Sequence, residues 1–353
     1  MRKRKGLLKT GAQAAGLLVL CAGLWLSFAS GVARAIPEES QRNAGPTNRT
    51  WENYFGVSIL PSGRAIVVGD KGLVMTSDDQ GKTWTHQQLR NGLTPFDLYS
   101  IAFTPDGAKG WIAGDGGSMY RSDDQGKTWT LQPTKTAAAL MKVAVIDAQK
   151  ACAVGEHGMV ICTADDGATW NSQKFEDMVF FDVTFTDANN GWAVGEFETV
   201  LDTIDGGKTW TIKNGGQRTL KADPYFAIAF TDPNNGLVLG LNGIDLKTSD
   251  AGKTWTPGAL ADEPYSFYAA VPLTTGGSGD IYTVGVDGVT GRIARDTKMT
   301  RTVSGASNSI NAIALTPQFG LAVGLSGTIL QTKDSGQSWS GLNGGDSAQA
   351  RAQ

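Results

Sequence analysis

The chain has 353 residues, with 31 Lys/Arg against 34 Asp/Glu, two histidines and three cysteines. His86 and His157 are too few for a zinc site of several imidazoles, and they leave little material for a histidine triad. Residues 1–35 hold six bases and no acid; the rest carries 25 bases against 34 acids, a net charge of −9, which argues against a nucleic-acid binder.

Arg2, Lys3, Arg4 and Lys5 open the chain, an apolar stretch runs from Ala14 to Leu26, and Ala33-Arg34-Ala35 supplies a small-x-small cleavage signal. Residues 1–35 are therefore expected to be an export signal, with 36–49 a linker. The alternative is an uncleaved anchor, because residues 10–33 carry no charge and nearly span a bilayer. In an oxidising compartment Cys152 and Cys162 form either one disulfide or two buried thiols in neighbouring strands.

From residue 50 to 341 one unit recurs: a small-residue strand ending in Gly, a short turn, a second strand, then S/T-x-D-x-G-x-T-W. The box runs from Ser77 to Trp84 and Ser122 to Trp129, and returns from Thr163, Thr203, Thr248 and Thr332. A degenerate copy falls at Ala294-Arg295-Asp296. The box aspartates, Asp79, Asp124, Asp165, Asp205, Asp250, Asp296 and Asp334, are spaced by 45, 41, 40, 45, 46 and 38 residues. The strand-closing glycines, Gly69, Gly114, Gly155, Gly195, Gly240, Gly285 and Gly324, keep step with them. Each unit holds four strand-like runs; in the second they are Leu98–Thr104, Gly110–Gly114, Ser118–Ser122 and Trp129–Gln132. Seven such units predict an all-β, seven-bladed β-propeller of four-stranded antiparallel blades. Pro46–Trp51 is expected to add a strand to the last blade, and the Gly/Ala/Ser-rich tail, 342–353, to be disordered.

The box residues read as scaffold. The aspartate accepts N–H bonds of its own turn, the glycine permits a backbone angle that other residues resist, and the tryptophan lies between blades. Trp84, Trp129, Trp170, Trp210, Trp255 and Trp339 occupy that one position. A feature repeated around the ring is explained by the ring, so no box aspartate is expected to be a catalytic acid or a metal ligand, and no metal or other cofactor is expected.

The box is the bacterial neuraminidase repeat, which identifies architecture more than activity. The fuller unit, Gly191-Trp192-Ala193-Val194-Gly195-Glu196 followed by the box from Thr203 to Trp210, resembles the photosystem II stability and assembly factor family. Lys109-Gly110-Trp111-Ile112-Ala113-Gly114 and its box match as well, and the likeness spans roughly residues 50–340. The resemblance implies a non-catalytic factor that docks on a membrane-protein precursor, in a periplasm or, in a phototroph, the thylakoid lumen. One departure is visible. Photosynthetic members carry an arginine-rich patch, whereas the ten arginines beyond residue 35 are scattered here, which points to a non-photosynthetic relative.

Function is expected on the face opposite the boxes. The turns after the second strands carry Asp70, Asp115, Glu156, Glu196, Glu198 and Asp287, an acidic ring suited to a cation or a basic peptide, though acids also simply suit tight turns. Aromatics gather before the inner strands: Phe96, Phe180, Phe181, Tyr225, Phe226, Tyr265, Phe267 and Tyr268. They form either a peptide- or glycan-binding rim or blade packing. The loop from Asn214 to Pro224, with Arg218 and Lys221, is a further candidate binding element. The alternative function is a glycan-binding propeller or a divergent sialidase-like glycoside hydrolase, for which a deep pocket with converging arginines or paired carboxylates is the requirement.

Overall fold

A computed structural model describes residues 52–91, 96–216, 222–258, 260, 265–273, 279–294 and 299–342, all within one compact unit. The export segment with its anchor alternative, the linker, Pro46–Trp51, Arg218, Lys221, Arg295-Asp296 and the tail from 343 lie outside these residues.

The described residues form seven four-stranded antiparallel sheets, each cut from one continuous stretch of chain. The first strands are Tyr54–Ile59, Leu98–Phe103, Leu140–Val145, Phe180–Phe185, Tyr225–Phe230, Phe267–Pro272 and Ile310–Leu315. Each packs beside the first strand of the next blade, and that of blade 7 beside that of blade 1, so the sheets close into a ring with these strands innermost. The protein is a seven-bladed β-propeller. The second strands, such as Ala65–Gly69 and Gly191–Gly195, are buried at every position, which is why they read as unbroken small apolar runs rather than alternating ones. Outer strands such as Thr85–Gln88 are exposed throughout and polar.

The apolar core is divided among the gaps between blades. One cluster of buried side chains fills each of the seven junctions, and every box tryptophan belongs to one of them. The boxes themselves repeat one set of bonds. In the first, Gly81 N–H donates to Ser77 Oγ (2.7 Å), Thr83 N–H to Asp79 Oδ1 (2.9 Å) and Thr83 Oγ1 to Asp79 Oδ2 (2.7 Å). These donors hold the Asp79 and Asp250 carboxyls down to about 2. The box glycine is needed twice over. Its φ lies between +72° and +86°, and a Cβ there would strike the blade before it: Gly126 would meet Ile66 at 2.5 Å and Gly252 would meet Trp192 Nε1 at 2.2 Å.

In blade 3 the partner of the next box glycine is a disulfide. Cys152 and Cys162 stand directly opposite on adjacent strands and are bonded, and a Cβ on Gly207 would lie 2.5 Å from the Cys152 sulfur. Blade 7 is complete from its own four strands, Ile310–Leu315, Gly320–Gly324, Ile329–Thr332 and Ser340–Gly341, so among the described residues the ring closes without a shared strand. Hydrogen bonds close it instead: Asn311 Nδ2 to the Tyr54 carbonyl (2.9 Å), Ser326 N–H to Asn53 Oδ1 (3.0 Å) and Gln331 Nε2 to the Gln80 carbonyl (2.6 Å). They flank a cluster joining Tyr54, Val57 and Trp84 to Phe319, Leu321 and Val323.

Candidate partner-binding face

The connections sort to two ends of the ring. The boxes bond to the turns between first and second strands, as when Gln125 N–H donates to the Ala108 carbonyl and Gly206 N–H to the Asn189 carbonyl. The turns between second and third strands bond instead to the loops that lead into and out of the blade, as when Glu156 N–H donates to the Ala139 carbonyl and Phe175 N–H to the Gly158 carbonyl. The second face is the one on which function is expected.

Where each inner strand reaches that face, it bulges. In all seven blades the pairing slips by one residue as the first strand meets the glycine closing the second, so that two consecutive residues share one partner. The glycine is required by contact rather than by its own extended backbone. A Cβ on Gly69 would lie 2.1 Å from the Asn53 carbonyl oxygen, and one on Gly195 would lie 2.2 Å from that of Val179. The first residue of each pair turns into the gap between blades: Tyr54, Leu98, Leu140, Phe180, Tyr225, Phe267 and Ile310 are each at most 5 % exposed. The second residues, Phe55, Tyr99, Met141, Phe181, Phe226, Tyr268 and Asn311, form a collar on the innermost strands. Their rings meet across blade junctions, Phe55 with Tyr99 at 5.6 Å, Phe181 with Phe226 at 5.2 Å and Phe226 with Tyr268 at 5.6 Å.

The structure thus divides the candidate aromatics. Burial takes Phe180, Tyr225 and Phe267 out of any rim and into the core, because as the first residues of their bulges they are needed between blades. Phe226 is only 4 % exposed, wedged between Phe181 and Tyr268. Phe96 stacks on Tyr120 at 5.9 Å, and Tyr265 carries the Arg301 guanidinium 4.5 Å from its ring. Phe55, Tyr99, Met141 and Asn311 were not legible as a group by strand alternation. The signal that marks them is the strand-closing glycine, which implies the bulge opposite.

Three acids of the second turns are held by N–H donors. Asp70 Oδ2 accepts from Asn53 N–H (2.9 Å) and Nδ2 (3.0 Å), Asp115 Oδ1 from Gly116 N–H (2.7 Å) and Glu196 Oε2 from Val179 N–H (2.9 Å). Asp97, a neighbour missed in the sequence, accepts from Lys71 N–H (2.8 Å). Burial pushes the Asp70 and Asp115 carboxyls up, and the charge of Asp97 adds to the rise. Burial raises the Tyr268 hydroxyl of the collar, and the charge of the exposed Asp287 adds to the rise. Glu156 sits beside His157, whose Nδ1 lies 2.9 Å from Asp177.

Blade 4 departs from its neighbours. Its turn places Glu198 at φ +54°, where the turns of blades 1, 2, 3, 5, 6 and 7 have glycine. The close approach is transferred to the loop: a Cβ on Gly215 would lie 2.2 Å from the Glu198 carbonyl oxygen. This anchors the start of the Asn214–Pro224 loop, whose far end bonds back through Glu198 N–H to the Asp223 carbonyl (3.2 Å).

Among the described residues no group of three or more His, Cys, Asp or Glu side chains could hold a metal ion. A cavity of about 410 Å³ opens between the first strands of blades 3–6, and its lining includes no arginine. Its one buried carboxylate, Asp182, is committed to Lys142 Nζ (3.3 Å) and the N–H groups of Val183 and Ile228 (each 2.9 Å).

The sequence matches the family model described as photosynthesis system II assembly factor YCF48 over residues 50–179 and 169–262. The chain belongs to the YCF48 family. Among solved structures, one described as YCF48 bound to D1 peptide superposes with a TM-score of 0.63 at 18% identity, covering 84% of this chain and 96% of that one. YCF48 from Cyanidioschyzon merolae gives 0.63 at 17% identity, covering 83% and 98%. A virginiamycin B lyase from Staphylococcus aureus gives 0.68 at 10% identity, covering 83% and 98%. At such identities these likenesses establish the fold alone, and the lyase shows that the fold by itself does not separate binder from enzyme. No curated protein matches the sequence.

Proposed function

We propose that this YCF48-family propeller is an exported, non-catalytic factor that binds a protein partner on the second-turn face and supports assembly or stability of a membrane complex. The observation that carries the reading is the collar: every blade spends a bulge and a glycine to set one residue around the ring axis at the same end. Ring closure requires the core residue of each pair, but it does not require Phe or Tyr at the second. The relative described with a D1 peptide supports a protein segment as ligand. The scattered arginines favour a non-photosynthetic relative acting on another envelope complex in the periplasm. A glycan-directed reading needs converging arginines or paired catalytic carboxylates; the cavity between blades 3–6 is lined by no arginine, and its buried carboxylate, Asp182, is already committed to Lys142 and two N–H groups.

Affinity capture from native membranes with tagged full-length chain tests this reading. Enrichment of one membrane complex or its precursor is expected. Recovery of no envelope protein above background, together with hydrolysis of a sugar substrate, would overturn it.

A further inference from the structure

The collar and the charge around it are independent features. Of the seven collar residues, Phe55, Tyr99, Phe181 and Tyr268 are half-buried aromatics and Met141 is a fifth half-buried apolar side chain, all on innermost strands, so their apolar surface lies around the ring axis. Around that collar the second turns carry Asp70, Asp115, Glu156, Glu196, Glu198 and Asp287 against Lys71 and the imidazole of His157. Among the described residues the adjoining loops carry Asp97, Glu176, Asp177 and Asp223 against Arg90 and Lys135, so the acids keep the majority.

Resting on the reading that this face takes a protein partner, we propose that the occupant is an extended, Lys/Arg-rich segment of that partner with one large apolar side chain seated on the collar. Charge complementarity selects the sign. An acidic segment would be repelled from the turns of blades 2, 3, 4 and 6, where no Lys or Arg offsets the acid, and a purely apolar one would gain nothing from the carboxylates. The carboxylates are already oriented: Asp70 and Asp115 are fixed by N–H donors, and a carboxylate with one or two bonds still has lone pairs for an incoming ammonium or guanidinium. The aromatic collar is itself a good surface for such cations, since ring faces attract positive charge. Arg301 over Tyr265 shows the same pairing within the chain. Blades 5 and 7 carry no acid in this turn, so the binding track runs over blades 1–4 and 6.

The test uses the full chain and three labelled synthetic peptides of equal length. One is lysine-rich with a central phenylalanine, one has serine for the phenylalanine, and one has glutamate for the lysines. Fluorescence anisotropy should rank their affinities in that order, with binding of the first weakening as salt rises. Asp287→Lys combined with Glu156→Lys should weaken the first peptide by about tenfold or more at unchanged Tm. Phe55→Ser with Tyr99→Ser should remove the preference for phenylalanine over serine. Ile204→Ser, 76% exposed on the box face, should change neither. No binding of the lysine peptides, equal binding of the glutamate peptide, or indifference to the turn substitutions overturns the inference. Membrane capture separates the two claims. A membrane protein recovered equally well by the charge-reversed chain removes the basic segment and leaves the assembly reading intact. Lysine-peptide binding with no membrane protein recovered does the reverse.

Discussion

The two faces of the ring use the same bond for different ends. On the box face a carboxylate accepts from its own turn in six blades with nearly identical geometry, and ion pairs such as Arg64–Asp78 and Lys109–Asp166 tie neighbouring turns together. On the second-turn face the donors differ from blade to blade: a side-chain amide and N–H for Asp70, the next N–H for Asp115, a loop N–H for Glu196. Uniformity marks what closes the ring, and variation marks what is free to specialise.

The largest effect should come from the uniform side. Trp210 is 3 % exposed in the gap between blades 3 and 4, edge-on to Phe185 at 5.8 Å and clustered with Cys152, Cys162 and Phe180. Trp210→Ala should cost about 3–5 kcal/mol in urea unfolding, as for buried aromatics generally. A loss below about 1 kcal/mol would mean that the box tryptophans do not hold the blades together.

Next comes a carboxylate that belongs to neither face. Asp245 is 2 % exposed at a third-strand position where Val74, Val160 and Val200 stand in other blades. Burial pushes its carboxyl up to about 6, only partly offset by the Lys247 ammonium 4.0 Å away. A folded value above the unfolded one, about 3.9, means that ionisation opposes folding. The penalty is absent below about pH 4, grows as pH rises toward 6 and is complete above it. Asp245→Val should therefore stabilise by about 2–3 kcal/mol at pH 8, with a smaller gain at pH 4. A pH-independent difference would show that the carboxyl is not titrating as an isolated buried acid.

The box aspartates have the opposite sign. Asp79 and Asp250 are held down to about 2, so the stability that they contribute is present above the unfolded value and lost as pH falls from about 4 toward 2. Asp79→Asn should cost about 1 kcal/mol at neutral pH, kept small by solvent screening, and clearly less near pH 2. Persistence of the full deficit at pH 2 would assign the effect to packing.

The blade count was legible because two markers, box aspartate and strand-closing glycine, recur on different strands yet keep the same period. The collar was not, for a geometric reason. Alternation assigns one of two consecutive residues to each side of a strand, and a bulge breaks that rule where Tyr54-Phe55, Phe180-Phe181 and Tyr225-Phe226 sit, so core and collar residues read as one cluster. The Cys152–Cys162 bond was half legible. The spacing places the pair in neighbouring strands, but only the register shows that they stand opposite. Ring closure was legible only in part: the expected strand from Pro46–Trp51 lies outside the described residues, and the described blade 7 has four strands of its own.

The smallest effect is the most discriminating. Asp287 is exposed at φ +51° in the second turn of blade 6, and the equivalent place in blade 1 is held by Lys71 at φ +57°. The fold therefore already accepts a lysine in that backbone conformation. Asp287→Lys should alter stability by no more than about 0.5 kcal/mol, the range of ordinary surface changes. If this face is a specialised surface rather than a second set of fasteners, the substitution should be silent in urea unfolding while Asp79→Asn is not. A loss from Asp287→Lys as large as that from Asp79→Asn would erase the distinction between the faces, because it would make the second-turn acids structural in the same sense as the boxes.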